Sequence, residues 1–498
     1  MSNLSELLPA GGAAKEFEVV ASGSLGNGAT VILNSDGTVS IAGITTGQTV
    51  IPEGSSATFN SGSSNQISAS FDPNNSGKFI VAYRDSGNSS YGTACVGTVS
   101  GTSISFGSEY VFNSANTYYI SVSVDPLNSG KFVVAYADGG NGVYGTAIIG
   151  TVSGTSISFG SEYVFNATNS NYIVVSFDPI NSGKFVASYT DVGNSSYGTS
   201  IVGTVSGTSI SYGSEAALNS SSSSVFSISF DPNTTGKFVV AYKDVGNSNY
   251  GAAIVGTVSG TSISYGTAVV FNSGSTANIS VDFDPNTANK FVVSYRDNAA
   301  SGVGKSIVGT VSGTSISFGT AVVFNTEQSD YISSSFDPST AGKFIVAYRD
   351  YSNSQYGTAV VGTISGTSVS FSSEYIFDSS ATDYIVVNFD PNTAGKFVLV
   401  YSDDNNGGAG KAILGNIDGS ATNLTSTNFA GTSTAAFTNG QTATIVPQGG
   451  VSTNQSSLTI GSTYYVQPAG TLATSAGDPS VVAGKAISAT SLILKGNS

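Results

Sequence analysis

The side chains able to do chemistry in this chain of 498 residues are few in kind: 31 aspartates and glutamates, one cysteine, three arginines, 25 tyrosines and no histidine. Without histidine, a Ser/His/Asp or Cys/His arrangement cannot be assembled and no imidazole can hold a metal. Two carboxylates alone suffice for glycoside hydrolysis, yet the acids here recur in register. Asp-Pro stands at Asp72, Asp125, Asp178, Asp231, Asp284, Asp337 and Asp390, each 53 residues after the last. An acid present in every unit answers a structural demand, and this one suits an Asx-type turn cap. A second series, Asp85, Asp138, Asp191, Asp244, Asp297, Asp350 and Asp403, keeps the same interval of 53. It also reads as turn capping. Calcium held by Asp85 and loop carbonyls is the competing reading, although DSGNSS lacks the regular ligand spacing of a calcium loop. The expectation is a binding protein with no catalytic residue, no metal and no cofactor.

Cys95 occupies a slot that is Ile148, Ile201, Ile254, Ile307, Val360 and Ile413 in the other units, so it reads as an inert core thiol. The Lys78 series sits in a constant turn beside the Asp-Pro acid, where a surface charge pair explains it. No cysteine remains to form a disulfide within the chain.

The elements that must position these residues follow from the repeat. One unit reads as four strands: QISASFD ending at Asp72, KFIVAYRD from Lys78 to Asp85, TACVGTVS, and SISFGSEYVF. The turns between them carry Pro, Gly, Asn and Ser, which set the required dihedrals. In the second strand Phe79, Val81 and Tyr83 point one way and Ile80 and Ala82 the other. A strand apolar on both faces belongs to a sheet covered on both sides. Four short antiparallel strands in each of seven units predict an all-β fold, a seven-bladed β-propeller over residues 51–420. The seven Asp-Pro units enclose only six fourth strands. SATFN supplies the missing one, since Phe59 precedes Asp72 by the same 13 residues that separate Phe112 from Asp125. An N-terminal strand is therefore expected to complete the last blade and close the ring, which also removes exposed sheet edges.

Charge narrows the partners. A net charge of −15 with a pI near 4.2 argues against nucleic acid and anionic lipid, which require clustered Lys and Arg. No apolar run approaches the length of a membrane span, and MSNLSELLPAGG lacks the basic and apolar regions of a signal peptide. Outside the repeats, residues 1–50 read as an attachment segment, with a short helix around Leu4, Leu7 and Leu8 and then strands. Residues 421–498 read as a small β-barrel or sandwich with Gly-rich turns.

The opening MSNLSELLPAGG with NGATVILNSDGTVS, and the closing LTIGSTYYVQPAGTLATSAG with VVAGKAISATSLILKG, resemble modules of virion structural proteins of tailed bacteriophages, marine and cyanophage-like ones above all. FDPNNSGKFIVAYRD resembles propeller repeats in such proteins. The resemblance implies a tail-fibre or head-fibre component made in the host cytoplasm, exposed on the particle after lysis and oligomeric there. Its implied partners are other virion proteins or a host-surface polysaccharide.

A binding face is suggested by where the units differ. DPNTAGK and VSGTS stay nearly constant, whereas the loop after the second strand varies (DSGNSSYG, DNAASGVG, DDNNGGAG), as does the link from fourth to next first strand (NSANTYY, NSSSSSVF, NTEQSDY). Both variable connections fall on one end of an antiparallel blade. Tyr91, Tyr119, Tyr144, Tyr172, Tyr197, Tyr250, Tyr331, Tyr356 and Tyr384 lie among them, and Arg84, Arg296 and Arg349 give that face uneven charge. Tyr with Ser and Asn neighbours makes an adaptable contact surface suited to proteins and sugars. A decoration protein without an external ligand and a secreted bacterial adhesin are the alternative functions.

Overall fold

The computed structural model describes residues 16–34, 36–42, 44–45, 50–417, 421–422, 424–425, 427–467, 470–477 and 480–495. They form two compact units, Gln48–Asp418 and the two chain ends, Met1–Gly47 with Gly419–Ser498. The expected helix around Leu4, Leu7 and Leu8 lies outside the described residues. No helix among those described is long and apolar enough to cross a membrane.

The larger unit is a closed ring of hydrogen-bonded antiparallel strands. In the first repeat Lys78–Asp85 pairs with Tyr91–Ser100 along its whole length, from Lys78 opposite Thr98 to Asp85 opposite Tyr91. The apolar pattern on both faces of Lys78–Asp85 explains its position. Phe79, Val81 and Tyr83 share a core with Val398 and Val400 of the last repeat, while Ile80 and Ala82 share another with Phe132, Val134 and Tyr136 of the next. The core is thus divided into layers between neighbouring sheets. Phe79 also lies over Gly97, its cross-strand neighbour, where a Cβ would meet the ring at 2.2 Å. Only glycine leaves room there for a buried aromatic.

The link between repeats departs from the expectation. NSANTYY and its equivalents were expected as loops, but the fourth strand of one repeat and the first of the next run together, as in Tyr110–Val124 and Ser156–Phe177. The first half of Tyr110–Val124 pairs with Tyr91–Ala94 and the second half with Phe132–Asp138, with a bulge where Tyr118 opposes Ala137 and Ser121 opposes Ala135. Outside Ile51–Phe71 and Ser156–Phe177 the outermost strand is split, as where Ser103–Phe106 is separate from Tyr110–Val124.

Ring closure follows the same rule. Ile51–Phe71 pairs through Ala57, Thr58 and Asn60 with Ala412, Lys411 and Gly410, and through Ser68–Phe71 with Ala82, Val81, Ile80 and Phe79. The N-terminal strand expected from Phe59 therefore joins last repeat to first.

Inner strands of neighbouring repeats need another link, because no ladder joins them there. Serines supply it. Ser68 Oγ accepts from Val122 N at 3.0 Å, Ser121 Oγ from Val175 N at 3.0 Å, Ser227 Oγ from Val281 N at 2.9 Å and Ser280 Oγ from Ser334 N at 3.0 Å. Between last and first repeats, Asn388 Nδ2 donates to Ala69 O at 3.1 Å.

The chain ends were expected as separate modules, and strand pairing interleaves them. Phe17–Val20 pairs with Thr442–Pro447, which pairs with Phe429–Ser433, which pairs with Thr30–Leu33, which pairs with Val39–Ile41. Their apolar positions, Val31, Val39, Ala443 and Ile445 among them, share one core. A second five-stranded sheet lies wholly within the C-terminal part, from Val451–Ser452 to Leu492–Leu494.

Candidate functional site at the mouth of the ring

The bulge in each linking strand sets the site. Gln66, Tyr119, Tyr172, Val225, Asn278, Tyr331 and Tyr384, all at one repeat position, have φ between 47° and 52°. Left-handed backbone at a non-glycine residue is costly, but here every repeat shares it, so the conformation belongs to the fold and only residue identity can serve recognition. Gln66, Tyr119, Tyr172, Val225 and Tyr384 converge on a depression of about 340 Å³, floored by apolar residues such as Phe226. Convergence of the same slot from several repeats places it at the mouth of the ring. The rings of Tyr119 and Tyr172 lie 5.2 Å apart, tilted by 44°, and those of Tyr331 and Tyr384 lie 5.1 Å apart. Gln66 Oε1 accepts from Tyr119 N. Tyr172 is 39% exposed.

Beside this aromatic arc lies a charged one. Asp330 accepts from Arg296 and, at 3.3 Å, from Arg349, which also pairs with Asp383. Asp330 faces Arg349 across its own strand pair, and Arg296 reaches it from the preceding repeat. Arg349 stands 4.8 Å from the centre of the Tyr331 ring. Burial, then the nearby Asp383 carboxylate, pushes Asp404 up to about 6. Burial also raises the Tyr384 hydroxyl, with Asp383 adding to the rise and Arg84 opposing it. Arg84 is seated 5.2 Å from the centre of the Tyr118 ring and donates to Ser90 Oγ at 3.0 Å.

The structure therefore divides the expected residues. Tyr119, Tyr172, Tyr331 and Tyr384 gather at the bulges with Arg84, Arg296 and Arg349 close by. Tyr91, Tyr144, Tyr197, Tyr250 and Tyr356 instead begin the third strands, half-buried, each opposite an acid of the Asp85 series. They share the end of the ring but do not line the depression. Sequence reasoning missed Gln66, Asn278, Asp330 and Asp383. The available signal was register: Gln66 and Asn278 stand in the Tyr119 slot, while Asp330 and Asp383 stand one residue before it.

The acids of the two regular series are engaged in turns. Asp72 Oδ1 accepts from Asn74 N at 2.9 Å, and its Oδ2 accepts from Asn75 Nδ2 at 2.7 Å and from Gly130 N of the next repeat at 3.0 Å. The last bond ties repeats together, a role the turn alone did not suggest. Asp85 Oδ1 accepts from Gly87 N, Asn88 N and Asn60 Nδ2 at 3.0 to 3.2 Å. Lys78 donates to Thr98 Oγ1 at 3.4 Å, while Lys396 donates to Gly101 O at 2.8 Å and pairs with Glu53 at 2.9 Å, so the partners of these two are not the Asp-Pro acid. Burial raises the Cys95 thiol within the core.

One acid breaks the pattern at the opposite end. Asp282 fills a slot held by Ser70, Ser123, Ser176, Ser229 and Ser335, and accepts from Ser229 Oγ, Phe283 N and Phe336 N at 2.9 to 3.1 Å. Burial outweighs these bonds and pushes it up to about 6. It lines a second depression with Phe283, Phe336 and Pro285.

No protein-family model and no curated protein matches the chain. Among solved structures, Sqt1 from Chaetomium thermophilum is 12% identical, with a TM-score of 0.46, over 71% of this chain and 85% of that chain. The BP39L lectin from Burkholderia pseudomallei is 10% identical, with a TM-score of 0.54, over 73% of this chain and 98% of its own. At that identity the likeness is one of fold, and with the closed ring of repeated antiparallel strands it makes the larger unit a β-propeller.

Proposed function

We propose that this chain is a non-enzymatic virion protein of a tailed bacteriophage, a tail-fibre or head-fibre component. In this reading a seven-bladed propeller recognises a host-surface glycan or a neighbouring virion protein. The observation that carries recognition is the inequality of the ring's two ends. One repeats Asp-Pro turns with nearly constant partners, while the other collects Tyr119, Tyr172, Tyr331, Tyr384 and three arginines in unequal arcs around an open depression. Seven Asp-Pro units and a closing strand support the blade count. The fold shared with a lectin supports a sugar as one class of ligand, and the resemblance of the chain ends to phage modules supports the particle.

Mass spectrometry of purified particles should find this chain, and its absence would refute the virion reading. Replacing Tyr119, Tyr172 and Tyr384 together with Ala should weaken adsorption to host cells without lowering the melting temperature. Unchanged adsorption would point to a decoration role.

A further inference from the structure

The three arginines keep different company. Arg296 and Arg349 are held by Asp330 and Asp383, whereas Arg84, among the described residues, has no carboxylate partner. The buried Nε has no acceptor in any of the three, so the difference between them lies in the carboxylates. The surroundings of Arg84 are those of the mouth. Asn65, which faces Arg84 across the strand pair, precedes Gln66, and Tyr118, over which the guanidinium sits, precedes Tyr119. Gln66 and Tyr119 both line the depression, and among the described residues no ionisable group other than tyrosine does. In a chain of net charge −15, a half-buried cation without an anion is a place where an anionic ligand gains most.

The depression, which Arg84 borders through Tyr118 and Asn65 without lining it, specifies the ligand's body. Tyr119 and Tyr172 present tilted aromatic faces, which suit the C–H face of a pyranose. Gln66 uses its oxygen on Tyr119 N, leaving its NH₂ for a hydroxyl. A single guanidinium matches a single negative charge. An acidic peptide would satisfy the charge but would not bring a saturated ring's face of C–H bonds to the tyrosine cleft.

We propose that the mouth of the ring binds a sugar acid, with its pyranose against Tyr119 and Tyr172 and its carboxylate on Arg84. This rests on reading the mouth as a recognition surface and names the class of glycan it would take.

The test titrates oligomers of glucuronate, galacturonate and mannuronate, each beside its neutral hexose counterpart, into the full chain by calorimetry. At least one uronate should bind about tenfold more tightly than its neutral counterpart, and the preference should shrink at high salt. Arg84→Gln should abolish the preference of the uronate over its neutral counterpart, Tyr172→Ala should weaken both, and melting temperatures should report intact folding. A preference that survives Arg84→Gln, or no uronate binding better than its counterpart, overturns the inference. Neutral binding alone would do so while leaving a glycan-recognition role standing. Retention of an acidic peptide with no uronate binding would overturn the sugar assignment. Absence of all sugar binding, together with normal adsorption by the tyrosine variants, would remove the recognition reading as well.

Discussion

Phe59 covers Gly410 as Phe112 covers Gly92: a Cβ on either glycine would come within 2.3 or 2.4 Å of the phenylalanine ring. The strand that closes the ring thus reproduces a contact made inside the first repeat, although its residues come from opposite ends of the unit. Phe59→Ala should cost about 3–5 kcal/mol, the usual range for a buried phenylalanine, and as much as Phe112→Ala. Chemical denaturation of both variants checks this. A much smaller loss for Phe59 would mean that closure is weaker than the links within the ring.

Removing a serine that joins neighbouring inner strands should leave an amide without its acceptor. Ser68→Ala takes the partner from Val122 N and should destabilise by about 1–2 kcal/mol. Hydrogen exchange should accelerate at Val122 more than at distant core amides.

Asp282 yields a pH dependence of defined sign. Its pKa is pushed up from an ordinary 3.8 to about 6 by burial, so the folded state holds this proton more tightly than the unfolded chain. The resulting penalty is absent below about pH 4 and grows to its full size above about pH 6. Asp282→Ser restores the residue of the equivalent slots. It should stabilise by about 2–3 kcal/mol at neutral pH, with little gain near pH 4, as measured by denaturation at both values.

Tyr172 stands exposed at the mouth, whereas Tyr197 is paired within a strand of the same face. If the depression is the binding site, Tyr172→Ala should weaken ligand binding about tenfold or more and Tyr197→Ala should weaken it less. Equal losses in a binding titration would extend the site outward over the whole face.

What the sequence disclosed depended on repetition. Phe79, Val81 and Tyr83 against Ile80 and Ala82 announce a strand covered on both faces, and Phe59 announces closure because seven copies supply its register. The bulges were misread as loops because NSANTYY is polar and aromatic, and nothing local distinguishes a bulged strand from a turn there. The pairing of Phe17–Val20 with Thr442–Pro447 is non-local and occurs once, so no second copy revealed it. The arginine network escaped notice because Asp330 and Asp383 occupy a slot that is Asn65, Tyr118, Asn171, Ser224 and Ala277 in the other repeats.

The closing pair also has a mechanical meaning. Ile51 lies opposite Asn416, so the chain enters and leaves the ring side by side at one end of an antiparallel strand pair. A pull on the ring taken up through both of these connections loads two strands together in the same direction. Neither strand is then drawn past the other, and the seam at Phe59 and Gly410 is spared the shear that would open it.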